Sequence, residues 1–235
     1  LSRSPEATLP PPNSAAIAIQ TRIGKPPATV VGIDVGGRRK GFHAVALRDG
    51  RHAGQFTSSD PEALGHWCRE EIGARVIAID APCRWSSDGR PRPCERELMA
   101  RGIRCFPSPS RERAIEHPSD FYGWMLRGEA LYQALEPSHP LLSGLPTNGP
   151  ACFETFPHAI TWHLRGGNAT ATLKRSQRLA LLERAGIDPD PLTSIDLIDA
   201  ALCALAADQV ARGGACHTYG EAGSGWIVVP RGPVG

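Results

Sequence analysis

Two short apolar runs of β-formers, each closed by an aspartate and then by a chain break, constrain this sequence more than any other feature. Val30-Val31-Gly32-Ile33 runs into Asp34 and the turn glycines Gly36-Gly37, and Val76-Ile77-Ala78-Ile79 runs into Asp80 and Pro82. Runs this short, rich in Val and Ile and without polar alternation, read as buried strands. An Asp just beyond the carboxyl end of such a strand faces the crevice where open α/β sheets hold ligands. Two of them on neighbouring strands could stand within a few ångströms of each other. Taken singly, each also fits a turn or a helix cap.

The rest of the chain supplies the partners for these strands. Phe42–Leu47 and Gly54–Thr57 read as second and third strands of a meander. A helix is expected over Pro61–Ile72, with Asp60 as N-cap and proline at its first position. A short helix near Cys94–Arg101, a helix over Gly123–Leu135, a strand over Ala151–Phe156 and a helix over Pro157–Leu164 follow. Leu173–Ala185 is amphipathic and stops at Gly186, Ile195–Arg212 stops at Gly213-Gly214, and Trp226–Val229 is a last strand. Strands first as a meander and then alternating with helices predict an α/β fold, a mixed sheet flanked by helices in a single domain over residues 29–235. Residues 1–28 hold six prolines and almost no periodic apolar pattern, which predicts a loosely ordered tail.

Three further acids draw notice. Asp196 and Asp199 lie three apart and so share one face of the last helix. Asp196 falls three after Thr193, as in a capping box, and favours the positive helix end. Asp199 sits a turn inside, between apolar residues, where a charge is costly unless paired or bound to metal. Glu154 interrupts an apolar strand, although alternation would also turn it outward to water. Phosphodiester hydrolysis at neutral pH needs an activated hydroxide and charge relief at the leaving oxygen, which divalent ions supply. Mg²⁺ or Mn²⁺ prefers carboxylate and water oxygens, so separated acids that converge suit that chemistry.

Charge and cysteine usage narrow the class. Net charge is only +2, yet residues 84–113 hold eight arginines against four acids, and Arg38-Arg39-Lys40 forms a second basic cluster. Such patches can steer a polyanion, and they also occur as solvated surface. No aromatic-rich stacking run favours single strands. Seven cysteines, none in a C-x-x-C pair, predict reduced thiols rather than disulfides or zinc. No apolar run has the length of a bilayer span and no secretory pattern opens the sequence, so a cytoplasmic protein is expected.

Val31-Gly32-Ile33-Asp34-Val35-Gly36 resembles the opening strand of the RNase H-like superfamily, and Ala78-Ile79-Asp80-Ala81-Pro82 resembles its fourth-strand acid. Asp196-Leu197-Ile198-Asp199-Ala200-Ala201-Leu202 is similar to the late helix of bacterial Holliday-junction resolvases in that superfamily. More closely, residues 30 to about 230 resemble the "domain of unknown function 429" family of predicted nucleases. The further motifs are Cys94-Glu95-Arg96-Glu97, Arg104-Cys105-Phe106-Pro107-Ser108-Pro109, Phe153-Glu154-Thr155-Phe156-Pro157 and Leu173-Lys174-Arg175. This resemblance implies an RNase H-like sheet and a metal-dependent nuclease acting on nucleic acid, an activity inferred from fold. It implies Asp34, Asp80 and Asp199 as metal ligands and catalytic acids, Glu154 as a fourth, and Asp196 as an outer partner. Arg96 and Lys174 are implied as phosphate contacts, or as plain surface cations. Arg38, Arg39 and Lys40 replace a more neutral turn and are candidates to bind nucleic acid.

Two other classes share the pattern. Ile33-Asp34-Val35-Gly36-Gly37 also fits the first phosphate loop of actin-like sugar kinases. The chain is short for their two domains, and its late glycines, Gly220–Gly225, are read as following a helix. A binding module of the same fold that has lost activity is the third class.

Overall fold

A computed structural model describes residues 28–232, so the expected tail lies outside the described residues apart from Ala28. Its seven strands form one sheet in the order β3-β2-β1-β4-β5-β7-β6. They are β1 (Thr29–Val35), β2 (Phe42–Arg48), β3 (Arg51–Ser58), β4 (Val76–Asp80), β5 (Ala151–Glu154), β6 (Cys216–Glu221) and β7 (Gly225–Pro230). β1, β4, β5 and β7 run parallel in the middle, and the β1-β2-β3 and β6-β7 edges are antiparallel. The centre is therefore buried on both faces, which is why β1 and β4 read as unbroken apolar runs. β3, at one edge, alternates between exposed and half-buried residues. Asp49 and Gly50 both take positive φ, 53° and 76°, and close the tight β2–β3 hairpin.

Among the described residues seven α-helices flank the sheet, giving the expected α/β domain. On one face lie α2 (Pro93–Ala100), α5 (Pro157–Leu164), α6 (Lys174–Arg184) and α7 (Ile195–Ala211), packed through Leu98, Ile160, Leu181, Ile198 and Leu202 against Val30, Ala78 and Phe153. On the other lie α1 (Pro61–His66) and α4 (Gly123–Leu135), packed through Leu64, Leu131 and Leu135 against Val31, Ile33, Ile77 and Ile79. α3 (Arg111–Ile115) sits on a small satellite core of Ala114, Tyr122 and Met125. No helix among the described residues is long and apolar enough to cross a membrane.

Local signals placed most elements within a residue or two. Asp60 caps α1 by accepting from the Glu62 amide at 3.0 Å, although the expected single helix over 61–72 changes to a π-helical turn at Trp67–Glu71. α7 starts from Ser194, whose hydroxyl accepts from the Leu197 amide at 3.1 Å, so Thr193 is not the cap. The late glycines are corrected too. β6, a polar edge strand without strong apolar alternation, precedes them, and Gly220–Gly225 closes the β6–β7 hairpin.

Candidate functional site

Gly32 sets the depth at which the acids meet. α7 is apolar on every side and crosses β1 so closely that a Cβ at Gly32 would stand 2.0 Å from the Ala204 nitrogen and 2.1 Å from the Ala200 oxygen. Only glycine allows that approach. Asp34 lies two residues further along β1, hence on the same face, beside the first turns of α7 that carry Asp196 and Asp199. Asp80 is the lateral partner of Asp34 across the parallel β1–β4 pair, where neighbouring strands lie about 4.8 Å apart. Four acids from three separate segments of the chain are thereby brought to one crevice at the strand ends.

Their electrostatics reflect that crowding. Burial, then repulsion from Asp199 and Asp196, pushes the Asp34 carboxyl up to about 7, and Lys40 and Arg178 offset part of this. Burial, then Asp34 and Asp199, drives Asp80 well above the carboxylate range. Among the described residues neither the Asp34 nor the Asp80 carboxylate accepts a hydrogen bond from the protein. The two are neighbouring acids that resist ionising together, with nearby but no contacting cations.

The helix acids, by contrast, are paired. Arg178 on α6 donates to Asp199 in a buried ion pair, yet burial still holds Asp199 above its ordinary value. Lys174, one turn before Arg178, also lies near Asp199. Lys40 grips both oxygens of Asp196 at 2.8 and 3.0 Å. His43 is the lateral partner of Asp34 on the β2 side. Its Nε2 is 4.0 Å from Asp196, and neither buried ring nitrogen has a hydrogen-bond partner. Burial lowers the His43 pKa and so favours the neutral ring. Sequence reasoning missed Arg178 and His43. The i, i+4 relation of Arg178 to Lys174 on an amphipathic helix was the available signal for the first. Alternation along β2, with its register to β1, was the signal for the second.

Glu154 meets this group only at its rim, where it lines one crevice with Asp80 and adds to the repulsion on that carboxyl. Its lateral partner is Ile79 rather than Asp80, and that one-residue offset assigns it to the other face of the sheet. Its carboxylate accepts from both terminal nitrogens of Arg92, at 2.6 and 2.9 Å, and from the Cys83 amide at 2.8 Å. Arg92 also donates to Glu95 at 2.9 Å, and Ser108 completes the buried cluster through its hydroxyl at 2.6 Å. With the Arg92 side chain only 2% exposed, this network fastens the 84–108 excursion to the sheet. Arg96, expected near phosphate, is exposed and donates instead to the Pro91 carbonyl at 2.6 Å. Arg38 and Arg39 are exposed in the turn after β1 and form no ion pair among the described residues.

The donor set suits a small hard cation in part. Among the described residues no group of three or more His, Cys, Asp or Glu side chains is arranged to hold a metal ion. The expected ring of Asp34, Asp80, Glu154, Asp196 and Asp199 is therefore not closed, because arginine or lysine already holds the last three. Mg²⁺, however, commonly takes one or two carboxylates and fills its octahedron with water and phosphate oxygens. Asp34 and Asp80 offer that minimal set, all oxygen and unpaired.

The model of one protein family, described as a protein of unknown function (DUF429), matches residues 32–223. No curated protein and no solved structure matches the chain.

Proposed function

We propose that this chain, which belongs to the DUF429 family, is an RNase H-like, divalent-metal-dependent hydrolase of phosphodiester bonds in nucleic acid. The observation that carries the reading is the Asp34–Asp80 pair, two carboxylates side by side at the ends of parallel strands with no protein group bonded to them. A folded chain that leaves such a pair uncompensated bears an electrostatic cost that structure alone does not require, and a bound cation removes it.

Asp34 and Asp80 would hold Mg²⁺ or Mn²⁺, with Asp199 available if Arg178 swings to substrate. The ion's contribution is charge relief at the phosphoryl oxygens and a hydroxide nucleophile at neutral pH. The chain's own cations surround the acids on the α6 and β1-turn sides. Arg178 can grip a phosphate with its planar fork, and Lys40 and Lys174 act as point charges. Arg38 and Arg39, exposed and without an ion pair among the described residues, supply the long-range attraction for a polyanion. His43 is placed to exchange a proton with Asp196 or with water in the crevice.

The test incubates the purified chain with single-stranded, duplex and branched DNA and RNA in Mg²⁺, Mn²⁺ or EDTA. Cleavage should require metal and disappear in Asp34→Asn and Asp80→Asn. Cleavage that survives both substitutions, or none with either metal, refutes the reading. ATP turnover without cleavage would put a phosphotransferase in its place.

A further inference from the structure

The geometry points to a stacking platform for unpaired nucleobases, built by Phe106, Phe121, Tyr122 and His117 at the mouth of the Asp80 crevice. These residues lie within one excursion of the chain, at spacings that no helical or strand period relates, and no linear motif announces them. In the fold their rings gather. Phe106 meets Phe121 edge-on at 5.4 Å between centroids, Phe121 meets Tyr122 at 5.0 Å, and His117 stacks on Phe121 at 5.5 Å. Tyr122 is buried and joins the satellite core below. Phe106 and Phe121 are 46% and 52% exposed, among the most exposed large apolar side chains of the molecule. Holding the 102–122 excursion in place calls for buried rings, not for two phenyl groups half in water.

The patch reaches the acid site at Asp80. Phe106 lines one crevice with Asp80, and Trp124, Phe156 and the Arg92–Glu154 pair line it too. A strand whose bases rest on Phe106 and Phe121 therefore has its backbone within reach of Asp80. Charge fits the same occupant. Residues 104–122, which carry the rings, hold three arginines against three acids, so the stretch is balanced in charge and suits a neutral, flat group. In the wider stretch from 84 to 113, Arg92 and Arg111 are held by Glu154 and Glu129, and the exposed arginines at 84, 90, 96, 101, 104 and 113 remain for phosphates. In a duplex, base faces are already stacked on one another and cannot reach these rings. Only a single strand or an unpaired stretch presents them. The inference deepens the hydrolase reading by naming its substrate class as single-stranded nucleic acid, and it depends on that reading only for where the scissile phosphate lies.

Binding is measured in EDTA, where no cleavage intervenes, by fluorescence anisotropy of labelled oligo-dT and oligo-rU 15-mers and of a hairpin duplex of equal charge. The single strands should bind more tightly than the duplex. Phe106→Ala and Phe121→Ala should each weaken single-strand binding roughly 5- to 150-fold, the size of one base–ring stack, with duplex binding unchanged. Phe106→Leu keeps an apolar side chain but no ring face and should lose nearly as much. Its melting temperature, and that of the alanine variants, should stay near wild type because the rings are half exposed. Equal affinity for duplex and single strand, or full affinity in Phe106→Leu, overturns the platform. Failure of the two readings is separable. Ring-dependent binding with no cleavage in any metal removes the hydrolase and keeps the platform. Metal-dependent cleavage of single strands untouched by Phe106→Leu does the reverse.

Discussion

Replacing Asp34 by asparagine keeps the shape of the side chain and removes its charge, and the structure sets the size of the effect. Folding raises this carboxyl from its ordinary 3.8 to about 7. Between those two values the folded chain holds a proton that the unfolded chain has released. The contribution of this one group to the stability of the metal-free protein is therefore full below pH 4 and declines as pH rises, with the loss complete above about 7. At about 1.4 kcal/mol per pH unit the loss amounts to about 4 kcal/mol. The amide of the Asp34→Asn variant does not titrate. The stability difference between variant and wild type should accordingly grow by about 4 kcal/mol from pH 4 to pH 8, roughly 10 °C in Tm for a domain of this size. Thermal unfolding followed by circular dichroism in EDTA, at half-unit pH steps, measures it. The difference cancels titrations that Asp34 does not touch; Asp80, which Asp34 pushes up, is relieved in the variant and adds to the difference in the same direction. Adding 10 mM Mg²⁺ should stabilise the wild type at pH 8 and leave Asp34→Asn unmoved. A pH-independent difference, or a wild type that is the more stable of the two at pH 8 in EDTA, would refute the reasoning.

Other consequences can be checked alongside. Gly32→Ala drives a methyl group into the α7 backbone and should cost at least about 3 kcal/mol in urea unfolding; unaltered stability would mean that the helix does not approach β1 this closely. Arg178→Ala leaves Asp199 buried and unpaired, so a loss of about 3–5 kcal/mol is expected, with most of it recovered in the double variant Arg178→Ala/Asp199→Asn; no recovery would show that the pair is not what stabilises α6 against α7. His163 donates to or accepts from the Tyr219 hydroxyl at 2.6 Å, and burial lowers its pKa to about 4. The folded chain then binds fewer protons than the unfolded one between pH 6.5 and 4, so stability falls as pH drops through that window. His163→Phe should flatten this acid limb, and an unchanged slope would assign the effect to other groups.

The legible part of the site was the part written in consecutive residues. Asp34 and Asp80 each end an unbroken apolar run, and such runs can only be central strands, so their carboxyl ends must open on the crevice. Asp199 stood out because an acid among Ile, Leu and Ala on a buried helix needs a reason. What these acids bind within the protein was not legible. Asp196 stands in the first turn of α7, as expected, and also holds Lys40 across 156 residues of sequence, which was not expected. Glu154 was expected among the ligands, and a single-residue offset between β4 and β5 put it on the opposite face with Arg92. Arg96 sits four residues beyond Arg92 and makes none of these contacts. The Phe106 platform was invisible because its rings come from stretches that no helical or strand period relates.

Periodicity, caps and turns determined the elements and their order, because the forces that set them act between residues a few positions apart and any window of sequence contains both partners. The packing distance of α7, the register of β5 and the choice of cation for each acid were decided only in the tertiary structure. Those are settled by contacts between segments that meet after the sheet has formed, where a missing Cβ at Gly32 or a shift of one residue changes which charges face each other.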